Sequence, residues 1–243
     1  MANKNERREA SDYELIAQDR PKSAMAEAYR ALRTNLSFAG LDTPFRSILI
    51  SSPSPRDGKS TVTANLGVVL AQAGSKVIIV DCDLRKPVQH KIFALDNLRG
   101  LTNCLMQKLP VEEAAHANVC ENLTVLTSGP IPPNPAEILN SQRVRTFWPM
   151  LLEKYDYVLV DAPPVLAVTD ASILAPQMEG VIMVTRSAVT RKDQVMEARE
   201  QFAKANANLI GVVLNQVKMD DNDYQYYYYY SQEEAPHPSS QTF

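Results

Sequence analysis

A chain of 243 residues, 45% of them hydrophobic and 22% charged, can bury the core of one soluble α/β domain. Its net charge of −3 gives no reason to expect nucleic acid as a partner. The three cysteines (Cys82, Cys104 and Cys120) show no metal-binding spacing and are too few for a disulfide framework, which favours a reducing cytoplasm.

The start of the chain is polar, charged and aperiodic, and we expect residues 1–22 to form a flexible arm. This segment lacks the apolar core of a signal peptide. No apolar run in the sequence approaches the roughly 20 residues that span a bilayer. We therefore expect any membrane attachment to come through a partner.

Apolar residues recur at helical spacing from Ser23 to Phe38, which predicts an amphipathic helix. Glu27, Arg30 and Arg33 lie at positions i, i+3 and i+6 on one flank of this helix. On their own these charges indicate a solvated face, with a Glu27–Arg30 pair worth a few tenths of a kcal/mol.

Short apolar runs rich in β-branched residues then alternate with helical stretches. The predicted strands are Ile48–Ile50, Val77–Val80, Leu123–Leu126, Tyr157–Val160, Val181–Val184 and Leu209–Leu214. The predicted helices include Ser60–Ala73, Ser141–Lys154 and Arg191–Asn206. Prolines make Gly129–Pro135 a predicted loop. This alternation is typical of an α/β fold in three layers, with a mostly parallel central sheet and helices on both faces.

The first predicted strand runs into a tight loop that ends in Gly58-Lys59-Ser60 and opens a helix. Such a loop turns backbone N–H groups and a helix N-terminus toward a phosphate. The residues expected to line it are Pro55, Arg56, Asp57, Gly58, Lys59, Ser60 and Thr61. We expect Lys59 to reach the β- and γ-phosphates and the Ser60 hydroxyl to bind Mg²⁺. The common pattern has a glycine where this chain has Pro53.

Carboxylates follow two further predicted strands. Asp81 and Asp83 come after the second strand, and Asp161 ends the strand that begins at Tyr157. Alternate side chains of an extended backbone share a face, so Asp81 and Asp83 can point into one site. The carboxyl ends of parallel strands meet at one ligand crevice. Together with Lys59, these three acids predict a magnesium–nucleotide site.

Three motifs resemble those of the bacterial tyrosine kinase family, whose members are P-loop kinases that regulate capsule and exopolysaccharide synthesis. They are S-x-x-P-x-x-G-K-S at Ser52–Ser60, the strand ending D-x-D-x-R at Val77–Arg85, and the strand ending D-x-P-P at Val158–Pro164. The segment Glu27–Arg33 matches the E-x-x-R-x-x-R motif used for ring assembly. Arg56 departs from the pattern, since the family often has glycine there. The resemblance implies the P-loop NTPase fold over residues 23–218.

The resemblance also implies roles for single residues, with ATP and Mg²⁺ as cofactors. Lys59 would stabilise the transferred phosphate, while Ser60, Asp83 and Asp161 would hold the metal. Asp81 is expected to accept the tyrosine proton, although the sequence cannot separate it from Asp83. Arg85 would steady the acids or the acceptor oxygen, and Asn215 would contact adenine. Glu27, Arg30 and Arg33 would form a subunit contact.

The C-terminal segment 219–243 is acidic and then tyrosine-rich, and we expect it to be a disordered tail. The expected phosphate acceptors are Tyr224, Tyr226, Tyr227, Tyr228, Tyr229 and Tyr230. Five consecutive tyrosines do not suit a buried strand, because half of their hydroxyls would face a core. The other interpretation is a sticky low-complexity tail or an aromatic contact patch. Phosphates next to Asp220, Asp221 and Asp223 should loosen docking of the tail in a neighbouring subunit.

As a member of this family, the chain would be a cytoplasmic protein-tyrosine kinase that autophosphorylates between the subunits of a ring-shaped homo-oligomer. Its expected partners are a membrane-protein activator with a cytoplasmic segment that recruits it to the inner face of the plasma membrane, protein substrates in polysaccharide synthesis, and a phosphotyrosine phosphatase. Two alternatives stay open: a partitioning or cell-division ATPase of the same fold, and a non-catalytic scaffold that binds nucleotide and polymerises.

Overall fold

The computed structural model of the protein describes residues 14–41 and 43–218. Within them the strands are β1 Ser47–Ser51, β2 Val77–Asp81, β3 His116–Cys120, β4 Leu123–Leu126, β5 Tyr157–Asp161, β6 Gly180–Arg186 and β7 Leu209–Asn215. They form one sheet in the order β3-β4-β2-β5-β1-β6-β7. Each neighbouring pair is parallel except β3 and β4, which are antiparallel.

The helices surround this sheet and vary widely in length. They are α1 Ile16–Asp19, α2 Ala24–Ala39, α3 Lys59–Gln72, α4 Gln89–Ile92, α5 Leu101–Gln107, α6 Val111–Ala114, α7 Pro135–Leu139, α8 Gln142–Leu152, α9 Asp170–Leu174 and α10 Lys192–Lys204. A 3₁₀ turn at Ala175–Gln177 follows α9. Helices α2, α3, α8 and α10 correspond to the four predicted helices, and the six predicted strands are present.

Central strands are buried on both faces because helices pack on each side of the sheet. In β1 every residue is buried: Leu49 points into one core layer, whereas Ile48 and Ile50 point into the other. The Leu49 layer includes Trp148 of α8 and Phe202 of α10. The opposite layer includes apolar residues of α2 and α3, such as Leu36 and Leu66. These observations confirm the predicted three-layer α/β fold.

The prediction of a flexible arm over residues 1–22 is wrong for its last part. Residues 16–19 form α1, in which Ile16 and Ala17 are buried. Polar side chains of α3 hold this turn: Asn65 Oδ1 accepts from the Ala17 N–H at 2.9 Å, and Gln72 Nε2 donates to the Ala17 carbonyl at 3.1 Å. A four-residue helix is too short to produce a periodic pattern. Residues 1–13 and the predicted tail, 219–243, lie outside the described residues.

Strand β3 was not predicted. It is an antiparallel edge strand whose residues are half-buried or exposed, so its sequence lacks the apolar run of a central strand. The predicted loop Gly129–Pro135 is irregular up to Asn134, and Pro135 opens α7 as its first residue, where a missing N–H costs nothing. In the ranges 14–41 and 43–218 no helix combines the length and the apolar character needed to cross a membrane.

Candidate active site

The phosphate loop connects the carboxyl end of β1 to the first turn of α3. Gly58 caps α3 with a left-handed backbone at φ 93°, and Arg56 is also left-handed at φ 68°. The left-handed region is the one that glycine adopts most readily, so Arg56 holds a backbone conformation that favours glycine. The first-turn amides of α3 have no partner within the helix, so the loop presents free N–H groups, as a phosphate site requires.

Gly58 is also held by a close neighbour. A Cβ atom at this position would lie 2.0 Å from Asn215 Nδ2, which donates to the Asp57 carbonyl at 3.0 Å. Asn215 ends β7, so its amide group fastens the last strand to the loop. The structure thus places Asn215 against the phosphate loop; its predicted adenine contact stays a prediction.

We expect Gly58→Ala to lower the free energy of unfolding by about 2 kcal/mol, through the left-handed φ and the contact with Asn215. Urea unfolding measures the loss. Gly74→Ala is the matched control, because Gly74 has φ +90° but open space where its Cβ would stand. The control should cost about 1 kcal/mol from the backbone conformation alone. Equal losses in the two variants would contradict the contact argument.

Asp57 is buried and anchors the loop from within. Its Oδ2 accepts from the Ser54 N–H at 3.0 Å, and its Oδ1 accepts from the Thr190 hydroxyl at 2.8 Å. Thr190, just before α10, also accepts from the Arg186 N–H at 2.7 Å. Both carboxylate oxygens of Asp57 therefore have protein partners, and any contact of Asp57 with a phosphate is left to its backbone. Thr190 was not predicted, because it is isolated among loop residues.

Lys59 lies at the centre of the predicted acids. Its Nζ is 3.1 Å from Asp83 Oδ2 and 3.2 Å from Asp161 Oδ1, and it donates to Ser60 Oγ at 3.1 Å. Burial alone would lower the pKa of Lys59, but attraction to Asp161, Asp83 and Asp81 outweighs it and raises the pKa above that of an ordinary lysine. The side chain is therefore a fixed positive charge at this sheet edge.

Asp81 is completely buried, and its carboxylate accepts hydrogen bonds from nearby backbone N–H groups. Its Oδ1 accepts from the Asp83 N–H at 3.2 Å, and its Oδ2 accepts from the N–H groups of Val88 and Gln89 at 3.1 and 3.0 Å. Burial, and then repulsion from Asp161, raises the pKa of Asp81 to about 8 despite these bonds. Asp81 faces Asp161 in the register of β2 and β5, so the two acids are neighbours.

Arg85 does not contact the three acids through a hydrogen bond or ion pair. It forms a two-point ion pair with Asp170, with Nε to Oδ2 at 2.9 Å and Nη2 to Oδ1 at 3.0 Å. The Asp170 side chain is fully buried, whereas that of Arg85 is 40% exposed. This bond raises the pKa of the Arg85 guanidinium above its ordinary value. Asp170 was not predicted, because an acid at a helix start usually indicates a cap.

Oxygen donors suited to Mg²⁺ lie next to Lys59: the Ser60 hydroxyl and the carboxylates of Asp83 and Asp161. Across residues 14–41 and 43–218, no group of three or more His, Cys, Asp or Glu side chains is arranged to hold a metal by itself. Mg²⁺ in nucleotide sites usually takes one or two carboxylates together with substrate phosphates, so this donor set fits a metal that arrives with a nucleotide.

Comparison with known proteins agrees with this geometry. The sequence model of a family described as ParA, NUBPL iron-transfer P-loop NTPase, matches residues 46–239. Tyrosine-protein kinase YwqD of Bacillus subtilis (strain 168) is 43% identical over 219 residues, which are 90% of this chain and 92% of that protein. The chain belongs to the bacterial tyrosine kinase family. The crystal structure of the chimerical protein CapA2B2 is similar to this chain with a TM-score of 0.81 at 42% identity. The match covers 84% of this chain and 90% of the CapA2B2 chain.

The likeness to division ATPases is more distant than the likeness to bacterial tyrosine kinases. The septum site-determining protein MinD from Pyrococcus horikoshii, complexed with Mg-ADP, has a TM-score of 0.60 at 26% identity. The match covers 75% of this chain and 76% of the MinD chain. This comparison supports a shared fold and places the partitioning ATPase alternative behind the kinase interpretation.

The predicted subunit contact lies on α2, where all three of its residues have partners within the chain. Arg30 Nε pairs with Glu27 Oε2 at 2.6 Å, and Arg30 Nη2 donates to the Pro21 carbonyl at 2.8 Å. Arg33 Nη1 donates to the Val69 carbonyl of α3 at 3.0 Å. Glu27 is exposed. The predicted phosphate acceptors, Tyr224 to Tyr230, fall outside the described residues.

Proposed function

We propose that the chain is an ATP-dependent protein-tyrosine kinase that phosphorylates its own C-terminal tyrosines and thereby regulates capsule or exopolysaccharide synthesis. The observation that carries the proposal is the single ammonium of Lys59 within 3.2 Å of Asp83 and Asp161, beside the Ser60 hydroxyl. Phosphoryl transfer needs positive charge next to the phosphates and carboxylates that bind the metal, and these residues supply both.

In this mechanism the chain positions charge around a nucleotide. The free amides of the loop and the ammonium of Lys59 would bind the phosphates, while Ser60, Asp83 and Asp161 would hold Mg²⁺. The metal, when bound, supplies positive charge against the negative charge of the transferred group. The remaining task for the protein is to accept the proton of the attacking phenol.

Asp81 is the proposed proton acceptor, with Asp83 as the alternative. A pKa near 8 suits a base that works near neutral pH. The phenolic oxygen forms its bond to the γ-phosphorus, the bond from that phosphorus to the bridging oxygen breaks, and ADP leaves. The phenolic proton passes to the carboxylate. Asp81 is completely buried, whereas Asp83 is 5% exposed and is the more accessible of the two to an incoming phenol.

Assembly and recruitment form part of the same proposal. We propose that Glu27, Arg30 and Arg33 contribute to a ring-shaped homo-oligomer in which one subunit phosphorylates the tail of its neighbour. A membrane-protein activator would bring this ring to the inner face of the plasma membrane, and a phosphatase would reverse the modification. The solved chimera CapA2B2 supports a separate activator, since a chimera joins parts of different proteins.

Mass spectrometry of the full chain after incubation with Mg·ATP tests the proposal, with and without the cytoplasmic segment of the activator. Phosphotyrosine should accumulate among Tyr224 and Tyr226–Tyr230. A control chain with phenylalanine at these six positions keeps the aromatic rings and should accumulate none there. Release of free phosphate without phosphotyrosine in either condition would contradict the kinase and favour the ATPase alternative. Binding of ATP with no turnover would favour the scaffold.

A further inference from the structure

Gln89 links the three segments that build the site. It is completely buried at the start of α4, and its backbone N–H donates to Asp81 Oδ2 at 3.0 Å. Its side-chain Nε2 donates to the Ser60 carbonyl at 3.1 Å and to Asp161 Oδ2 at 2.8 Å. One residue therefore contacts the phosphate loop and the acids of both β2 and β5.

The orientation of the Gln89 amide group follows from its partners. Both neighbours of Nε2 are oxygens that only accept hydrogen bonds, so the NH₂ end must face them; turning the group over would set Oε1 against two acceptors. The opposite atom, Oε1, is buried and finds no hydrogen-bond donor within the described part of the chain. A buried carbonyl oxygen of this kind usually has a donor, and a metal-bound water is one that a nucleotide complex would bring.

The two oxygens of Asp161 are thereby assigned different tasks. Oδ2 accepts from Gln89, while Oδ1 faces the Lys59 ammonium at 3.2 Å. A carboxylate held by one oxygen cannot rotate freely, so its other oxygen stays directed toward the phosphate loop. Partners behind a metal ligand commonly set the affinity for the metal in this way.

We propose that Gln89 is a positioning residue for the magnesium–nucleotide complex: it fixes the Asp161 carboxylate and offers its own Oε1 to a metal-bound water. This inference rests on the proposed function. It predicts that Gln89 affects the contribution of Mg²⁺ to nucleotide binding and leaves the binding of the nucleotide alone nearly unchanged.

The test measures binding of a fluorescent ADP to the full chain in Mg²⁺ and in EDTA. Gln89→Met has similar length but no donor and no amide oxygen. In this variant we expect the gain in affinity on adding Mg²⁺ to fall about tenfold, while affinity in EDTA stays within about twofold of wild type. The control is Gln107→Leu, at an exposed position at the end of α5, which should keep the full gain.

A measurement on the wild-type protein makes the test independent of the folding of the variant. The ¹⁵N-labelled side-chain amide of Gln89 should exchange slowly with solvent, and it should shift when Mg²⁺ is added to the ADP-bound chain. An unchanged Mg²⁺ gain in Gln89→Met, equal losses with and without Mg²⁺, or the absence of this shift would overturn the role of Gln89 alone. Wild-type chain that bound no ADP would instead overturn the proposed function, and this role with it.

Discussion

Lys59→Met should lower the rate of phosphotyrosine formation in the tail by roughly a thousandfold. The ammonium of Lys59 is the charge that the site directs at the phosphates, and methionine has similar length but no charge. Quantitative mass spectrometry of tail peptides over time, at saturating Mg·ATP, measures the rate. Lys154→Met is the matched control: it removes a lysine from an exposed pair with Glu112 and should leave the rate unchanged. A rate in Lys59→Met within tenfold of wild type would contradict the assigned role.

The same replacement should lower the stability of the nucleotide-free protein. Without Lys59, the buried carboxylates of Asp81, Asp83 and Asp161 lose their shared positive partner. Removing one side of a buried ion pair typically costs about 3 kcal/mol or more, because an unpaired buried charge is left. Urea unfolding without nucleotide measures this loss. Lys154→Met should unfold almost as wild type does, so a loss confined to Lys59→Met identifies burial as the cause.

The strands of the sheet were predictable because the central strands are buried on both faces. Their sequences are therefore continuous runs of apolar residues. Two predicted strands were recognisable for this reason: Val77–Val80 lies within β2, and Leu123–Leu126 has the same bounds as β4. The convergence of Lys59 with Asp83 and Asp161 was predictable on the same basis, since the carboxyl ends of parallel strands share one edge. Strand order was not predicted, because an apolar run does not show which run will pair with it.

Several residues around the site were missed, and they share a physical reason. Gln89, Thr190 and Asp170 act through hydrogen bonds to partners that are 29 to 133 positions away along the chain. A single polar residue in a loop or at the first position of a short helix carries no periodicity and no local motif. The short helix α1 was missed on similar grounds, because its partners Asn65 and Gln72 lie some fifty residues later on α3.

Arg85→Ala should lower the free energy of unfolding by about 2 kcal/mol, because it leaves the fully buried carboxylate of Asp170 without its partner. The expected loss is below that of a fully buried pair, since the Arg85 side chain is 40% exposed and water screens it. Urea unfolding measures it. Arg191→Ala is the control: Arg191 holds Asp193 in the same two-point geometry, but at 74% and 63% exposure. Its effect should be small, and equal losses would contradict the role of burial.

A double variant separates the two roles open to Arg85. If Arg85 acts only by stabilising Asp170, Arg85→Ala combined with Asp170→Asn should recover part of the lost stability, since no buried charge is left unpaired. The rate of tyrosine phosphorylation would then be the same in the double variant and in Asp170→Asn. If Arg85 instead contacts the acceptor oxygen, the double variant should transfer phosphate more slowly than Asp170→Asn by a factor of about ten or more. Because the guanidinium is partly exposed at the edge that holds Lys59, only this comparison of rates distinguishes a structural arginine from one that takes part in transfer.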